Sequence, residues 1–150
     1  MLLQVEDLRT YLETGNKTVK AVEGVSFGIA KGETFCLVGE SGSGKSMTAL
    51  SMMRLIPRLI GHHPSGSLRF QHRLENSNVE TVDLLQLKER QIRKIRGKRI
   101  SMIFQEPMSS LNPVYTVGDQ VVETLRLHTK MTTKQAKDRT IELFHTVQIP

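Results

Sequence analysis

The chain has 150 residues, room for one hydrophobic core, with the charged and apolar fractions of an ordinary water-soluble protein. No apolar stretch reaches the roughly 18–20 residues that cross a bilayer, and a single cysteine, Cys36, excludes an intrachain disulfide and suits a reducing compartment. The net charge of +6 raises nucleic-acid binding, but the few aromatics are not interleaved with the cations, so a base-stacking platform is absent.

The first seven residues, Met1 to Asp7, lack a basic leader and turn acidic at once, so they do not read as a secretory signal. Leu2 to Leu8 alternates as a strand does. Gly15-Asn16-Lys17 is a turn, and Thr18 to Phe27 is a second strand segment with Val19, Val22, Val25 and Phe27 available for burial. Lys31-Gly32-Glu33 turns the chain into a third apolar run, Thr34 to Val38. The expected role of Cys36 there is a small buried hydrophobe.

The next eight residues, Gly39, Glu40, Ser41, Gly42, Ser43, Gly44, Lys45 and Ser46, fit the pattern G-x-x-x-x-G-K-[ST]. Backbone N–H groups can wrap a phosphate only where no Cβ blocks the left-handed turns or the anion's approach, and three glycines supply that freedom. A helix starting near Lys45 directs its positive end at the same anion. Lys45 adds a mobile ammonium for β- and γ-phosphates, and the Ser46 hydroxyl a ligand for Mg²⁺. The pattern predicts a nucleotide site for ATP, all eight residues contributing.

In the helix that follows, Ala49, Met52, Met53 and Ile56 recur at helical spacing and form an apolar core face, not a metal site, until Pro57 breaks the helix. His62, His63 and His72 have no Cys or carboxylate at ligand spacing and read as surface residues. A short strand is expected at Leu68 to Gln71, and residues 73–78 read as an irregular excursion. Lys88, Arg90, Arg93, Lys94, Arg96, Lys98 and Arg99 surround a helix marked by Leu87, Gln91, Ile92 and Ile95, with a narrow apolar stripe, that Gly97 ends. A solvated basic face suits this segment better than a nucleic-acid contact. Ile100 to Phe104 is a compact apolar strand, and amphipathic helices are expected at Thr116 to His128 and Thr133 to Val147.

Gln105 ends the Ile100 strand, and Pro107 disfavours helical geometry at Glu106. A carboxamide so placed can offer its oxygen to Mg²⁺ and an N–H to an attacking water. The segment Phe104 to Pro113 resembles the Q-loop of ABC-transporter ATPases, in the form of the peptide, nickel and glutathione import branch. Val38 to Ser46 and Thr116 to Gln120 resemble the same branch, and the similarity runs from about Leu3 to Pro150.

The resemblance implies an α/β fold: a P-loop NTPase core with an N-terminal antiparallel β subdomain, incomplete at the C-terminus, with residues 1–150 as part of one nucleotide-binding domain. It implies ATP and Mg²⁺ as cofactors and Gln105 as catalytic residue and Mg²⁺ ligand beside Ser46. The implied partners are transmembrane permease subunits, a second ATP-binding subunit and, indirectly, a solute-binding protein outside the cell. No nucleic-acid partner is expected, and the implied place is the cytoplasmic face of the cell membrane.

The sequence departs from this family pattern in two places. The family stacks adenine on an aromatic near the end of the first strand. Tyr11 is the available ring and the candidate platform, whereas the spacing from Leu8 brings Leu12 to that position. A shift of one residue reverses the face. The family's Leu-Ser-Gly-Gly-Gln signature, Asp-Glu strand and switch histidine are also absent from these residues. The expectation is therefore that a longer parent hydrolyses ATP while this stretch alone binds nucleotide without turnover.

Three other readings stand beside this one. The chain could belong to an ABC-type ATPase acting on nucleic acid through the helix around Arg93. A P-loop kinase or unrelated NTPase gives no reason for Gln105-Glu106-Pro107. A non-functional remnant would expose an unpaired sheet edge and fold poorly.

Overall fold

Thr14 pairs with Lys17 across the two-residue turn Gly15-Asn16, and this joins β1 (Leu3–Thr14) to β2 (Lys17–Ile29) as a long antiparallel ribbon. Gly15 takes φ 60°, which the tight turn requires and glycine adopts without cost. The ribbon is bulged: the register breaks between Val5 and Leu8, between Leu8 and Thr10, and again at Tyr11. Asp7 sits there at φ 43°, and its N–H is satisfied by the Ser26 hydroxyl at 2.8 Å.

The computed structural model describes residues 1–73, 78–105 and 111–149, which fall into two compact units, Met1–Ser101 and Met102–Pro150. In the first unit the chain runs from β2 to α1 (Lys45–Met52), β3 (Gly61–His62), β4 (Ser67–Arg73), β5 (Val79–Asp83) and α2 (Glu89–Ile95). The sheet is antiparallel with order β2-β1-β4-β5, and β3 pairs with the far end of β1. Its inward residues Val5, Leu8, Val22, Leu68 and Phe70 close over Leu84 and over Ile92 and Ile95 of α2. Ile92 and Ile95 are three apart on a helix and so share one face, the stripe expected from the sequence.

The second unit holds α3 (Val117–His128) and α4 (Thr133–Thr146), each close to its expected span. Thr116 caps α3, its hydroxyl accepting from the Asp119 N–H at 3.1 Å. Thr132 caps α4, with Gln135 returning a bond to the Thr132 N–H at 2.9 Å.

Several expectations are corrected. Thr34 to Val38 is not a strand: residues 33–40 lie outside the sheet and Val38 is 85% exposed. Cys36 is exposed rather than buried. Phe35 finds one partner, stacking on Phe27 at 4.6 Å. Ile100 to Phe104 also forms no strand beyond a single bridge from Ile100 to Arg96, and Ile103 is 92% exposed. Both runs have the apolar character of strands buried on two faces, but a strand exists only where a neighbour completes its ladder. Among the described residues neither run has such a neighbour.

The expected apolar face after the loop is present in part: Met53 and Ile56 are buried and Met52 packs against the core. The side chains buried on α1 are Thr48 and Ser51, with Met53 and Ile56 buried beyond its end. The helix stops before Pro57, where Arg54 takes φ 49° and its guanidinium donates to the carbonyls of Leu84 and Leu87. His63 and His72 are not free surface residues either. His63 is half-buried against Thr10, and His72 stacks on Phe70 with its Nδ1 buried and without a hydrogen-bond partner among the described residues.

Candidate nucleotide-binding site

Glycine conformations set the shape of the loop from Gly39 to Ser46. Gly42 takes φ 80° and Gly44 φ 88°, left-handed values that L side chains rarely adopt. Gly44 is also the point of closest approach between loop and sheet: a Cβ there would lie 2.4 Å from the Ala21 carbonyl oxygen. At Gly39 a Cβ would meet the Ser43 hydroxyl at 2.6 Å. A short turn inside the loop is closed by Ser43 N–H donating to Glu40 O at 3.2 Å.

The helix behind the loop leaves its N-terminal donors open. Gly44 is the N-cap of α1 and has no side chain to cap it, and no acidic residue occupies the first turn. The first helical N–H that pairs with the loop is that of Thr48, to Gly44 O at 2.8 Å. The preceding amides, together with the positive end of the helix dipole, make an anion cradle. Lys45 curls back over this cradle. Its ammonium donates to Gly39 O at 2.7 Å, Glu40 O at 2.5 Å and the Ser43 hydroxyl at 3.3 Å.

A cavity of about 330 Å³ opens beside the cradle. One wall is Gly42, Gly44, Lys45, Ser46 and Met47, and the other is Leu12, Val19, Lys20 and Ala21 of the β1–β2 ribbon. Leu12 and Val19 are register partners, so their side chains share one face of the ribbon. Ser46 is the hydroxyl within this lining that suits a hard cation. Lysine, hydroxyl and uncapped amides fit a nucleotide tail with Mg²⁺.

Tyr11 is not among the lining residues. Its hydroxyl donates to Glu23 at 3.1 Å, its ring meets His62 edge-on at 5.9 Å, and the Lys20 ammonium stands 5.5 Å from its centroid. The cavity wall at this point is Leu12, with Val19 and Met47 as further apolar contacts. Val19 and Met47 were not singled out for the site from the sequence; the cross-strand partner of Leu12 is the signal that identifies Val19.

Gln105 is exposed in the second unit, and Glu106 to Ser110 lie outside the described residues. Around α2, Glu89 is held by Arg58 at 3.1 Å, Arg96 at 3.2 Å and Arg93 at 3.4 Å, so part of the basic run is engaged internally.

The family profile described as ABC transporter matches residues 22–150. The putative peptide import ATP-binding protein of Brucella abortus (strain 2308) is 46% identical over 149 residues, 99% of this chain and 43% of that protein. The oligopeptide transport ATP-binding protein AppD of Bacillus subtilis (strain 168) is 47% identical over 146 residues, covering 97% and 42% respectively. The chain thus spans less than half the length of these curated relatives. Among solved structures, the dimeric post-hydrolysis state of the ATP-binding cassette MJ0796 bound to ADP and Pi superposes with a TM-score of 0.75. It is 21% identical, over 97% of this chain and 57% of that one, and the likeness shows a shared fold.

Proposed function

The chain belongs to the ABC transporter family, and on that premise we propose that it is the nucleotide-binding part of an ATPase subunit powering import of peptides or similar small solutes. The observation that carries this reading is the cavity where Lys45, Ser46 and the uncapped start of α1 face the ribbon wall. The names of the relatives, peptide import and oligopeptide transport ATP-binding proteins, supply the solute class.

In this reading Gly39 to Lys45 would hold the phosphates through backbone amides and the ammonium, Ser46 would offer its hydroxyl to Mg²⁺, and Gln105, as the family resemblance implies, would offer a carboxamide oxygen. Gln105 also orients the attacking water. When bound, Mg²⁺ would supply positive charge against the phosphates. Residues 1–150 form part of one nucleotide-binding domain, and hydrolysis belongs to the longer protein. Its partners are permease subunits, a second ATP-binding subunit and, through the permease, a solute-binding protein. Among the described residues no helix is long and apolar enough to cross a membrane; in this reading the permease partners hold the subunit at the cytoplasmic face.

The base rests against Leu12 and Val19. We expect Leu12→Ala to weaken ATP binding about five- to tenfold, the order of one apolar side chain's contact, and Tyr11→Ala to leave it within about twofold. Titration calorimetry on both variants checks this, and the opposite ranking would restore Tyr11 as the platform.

For the whole reading, the test is the full-length protein reconstituted with its permease in vesicles. Peptide-dependent ATP hydrolysis is the expected result. Salt-sensitive binding to nucleic acid with no effect of permease would favour the other ATPase class.

A further inference from the structure

One buried polar chain is not used by the site as described so far. Thr10 of β1 and Ser51 of α1 are both 0% exposed, and their hydroxyls lie 2.8 Å apart. Thr10 Oγ1 is also 3.0 Å from His63 Nδ1, which is 3.3 Å from the Arg9 carbonyl. At the other end, the Ser51 hydroxyl donates to the Met47 carbonyl at 2.6 Å.

Carbonyl oxygens at both ends fix the direction of every proton. The Ser51 proton must point at Met47 O, so the Thr10 proton points at Ser51 Oγ. His63 Nδ1 must then carry a proton, which it shares between Thr10 and Arg9. Burial holds the His63 imidazole below its usual pKa, the Arg9 carbonyl opposes this, and Arg54 and His62 add to the lowering. The neutral Nδ1–H form satisfies every partner.

The two ends of this chain matter because of where they lead. Met47 lines the nucleotide cavity on one wall, and Leu12, two residues beyond Thr10 on β1, lines it on the other. α1 meets the ribbon at its start, where Gly44 is pressed on Ala21, and near its end, where Ser51 is bonded to Thr10, while Met47 and Met52 pack against the core of the sheet. The Ser51–Thr10 bond is the polar tie between the end of this eight-residue helix and β1.

We propose that Thr10, Ser51 and His63 are positioning residues that set the spacing between the two walls of the nucleotide cavity. The proposal rests on the nucleotide-binding reading above. It makes affinity for ATP depend on a hydrogen-bond chain that touches no part of the ligand. Thr10→Val keeps shape and burial but cuts the link between α1 and His63, leaving Ser51 with Met47 O and His63 with Arg9 O, and the loss of buried hydrogen bonds is costly.

The test compares four variants of the full chain by calorimetry with ATP and Mg²⁺, with the thermal midpoint measured on the same samples. Thr10→Val and His63→Leu should each raise Kd about tenfold. Thr10→Ser, which keeps the hydroxyl, and His63→Asn, whose amide N–H can replace Nδ1–H, should stay within about threefold of the parent. If Thr10→Val fails to fold, the two His63 variants decide by themselves. Folded Thr10→Val and His63→Leu proteins that bind ATP as the parent does, with only the midpoint lowered, would overturn the proposal. No uptake of ATP by the parent chain would overturn the underlying site reading instead.

Discussion

Lys45→Ala should raise the dissociation constant for ATP by at least about 100-fold while leaving the fold nearly unchanged. The ammonium makes three bonds to its own loop: to Gly39 O, Glu40 O and Ser43 Oγ. Those partners are neutral and lie in the cradle that phosphates would enter. On binding, the same donors exchange neutral oxygens for charged ones, and bonds to charged groups contribute roughly 1.5–3 kcal/mol each. Two such bonds account for a factor of 100 or more. Stability should change little, because alanine is favourable in a helix and the lost bonds are near the surface. Lys45→Arg should also bind poorly, since its planar fork cannot fold back over the loop as a compact ammonium does. Calorimetry and thermal denaturation on the same preparations separate the two effects. A Lys45→Ala protein with parental affinity would remove the ammonium from the site.

Gly44→Ala should be the most damaging single methyl group in the loop. Its φ of 88° carries a steric cost of roughly 1–2 kcal/mol for any L residue. The new Cβ would also sit 2.4 Å from Ala21 O, a backbone atom of β2 that can move only by displacing the ribbon. We expect a destabilisation of about 3–4 kcal/mol, at the diagnostic end for one substitution, and loss of measurable ATP binding. Gly42→Ala is the internal control. Its φ of 80° imposes a similar conformational cost, but nothing lies within 4 Å of the added Cβ. Urea denaturation of both variants isolates the contact term. Equal effects would mean that the approach of Gly44 to Ala21 does not matter.

The parts of this structure legible in the sequence are those decided by local chemistry. Thr116 with Asp119, and Thr132 with Gln135, mark the starts of α3 and α4 because a cap is made within one turn. The phosphate loop is legible because its positive-φ positions need glycine and its lysine follows at a fixed offset. Thr34 to Val38 and Ile100 to Phe104 were misread for the opposite reason. Their strand character depends on distant ladder partners, which no local pattern supplies.

Tyr11 shows a third case. Face alternation along β1 cannot be counted through its bulges, so the residue turned to the cavity was ambiguous by one position. At α1 the apolar spacing of Ala49, Met52, Met53 and Ile56 finds the buried Met53 and Ile56 but not Thr48 and Ser51, which are buried on the helix itself. Each of these hydroxyls bonds a carbonyl four residues back, to Gly44 O at 2.9 Å and Met47 O at 2.6 Å, which makes their burial affordable. Hydrophobicity patterns alone treat such residues as outward-facing.

The central physical claim is that open amides at the start of α1, a folded-back ammonium and a wall of the β1–β2 ribbon together hold a nucleotide. Isothermal calorimetry of the 150-residue chain with ATP and with ADP, each with Mg²⁺, is the most direct test. The expected result is saturable uptake of both at one site per chain, lost in Lys45→Ala. A well-folded chain that takes up neither would contradict it.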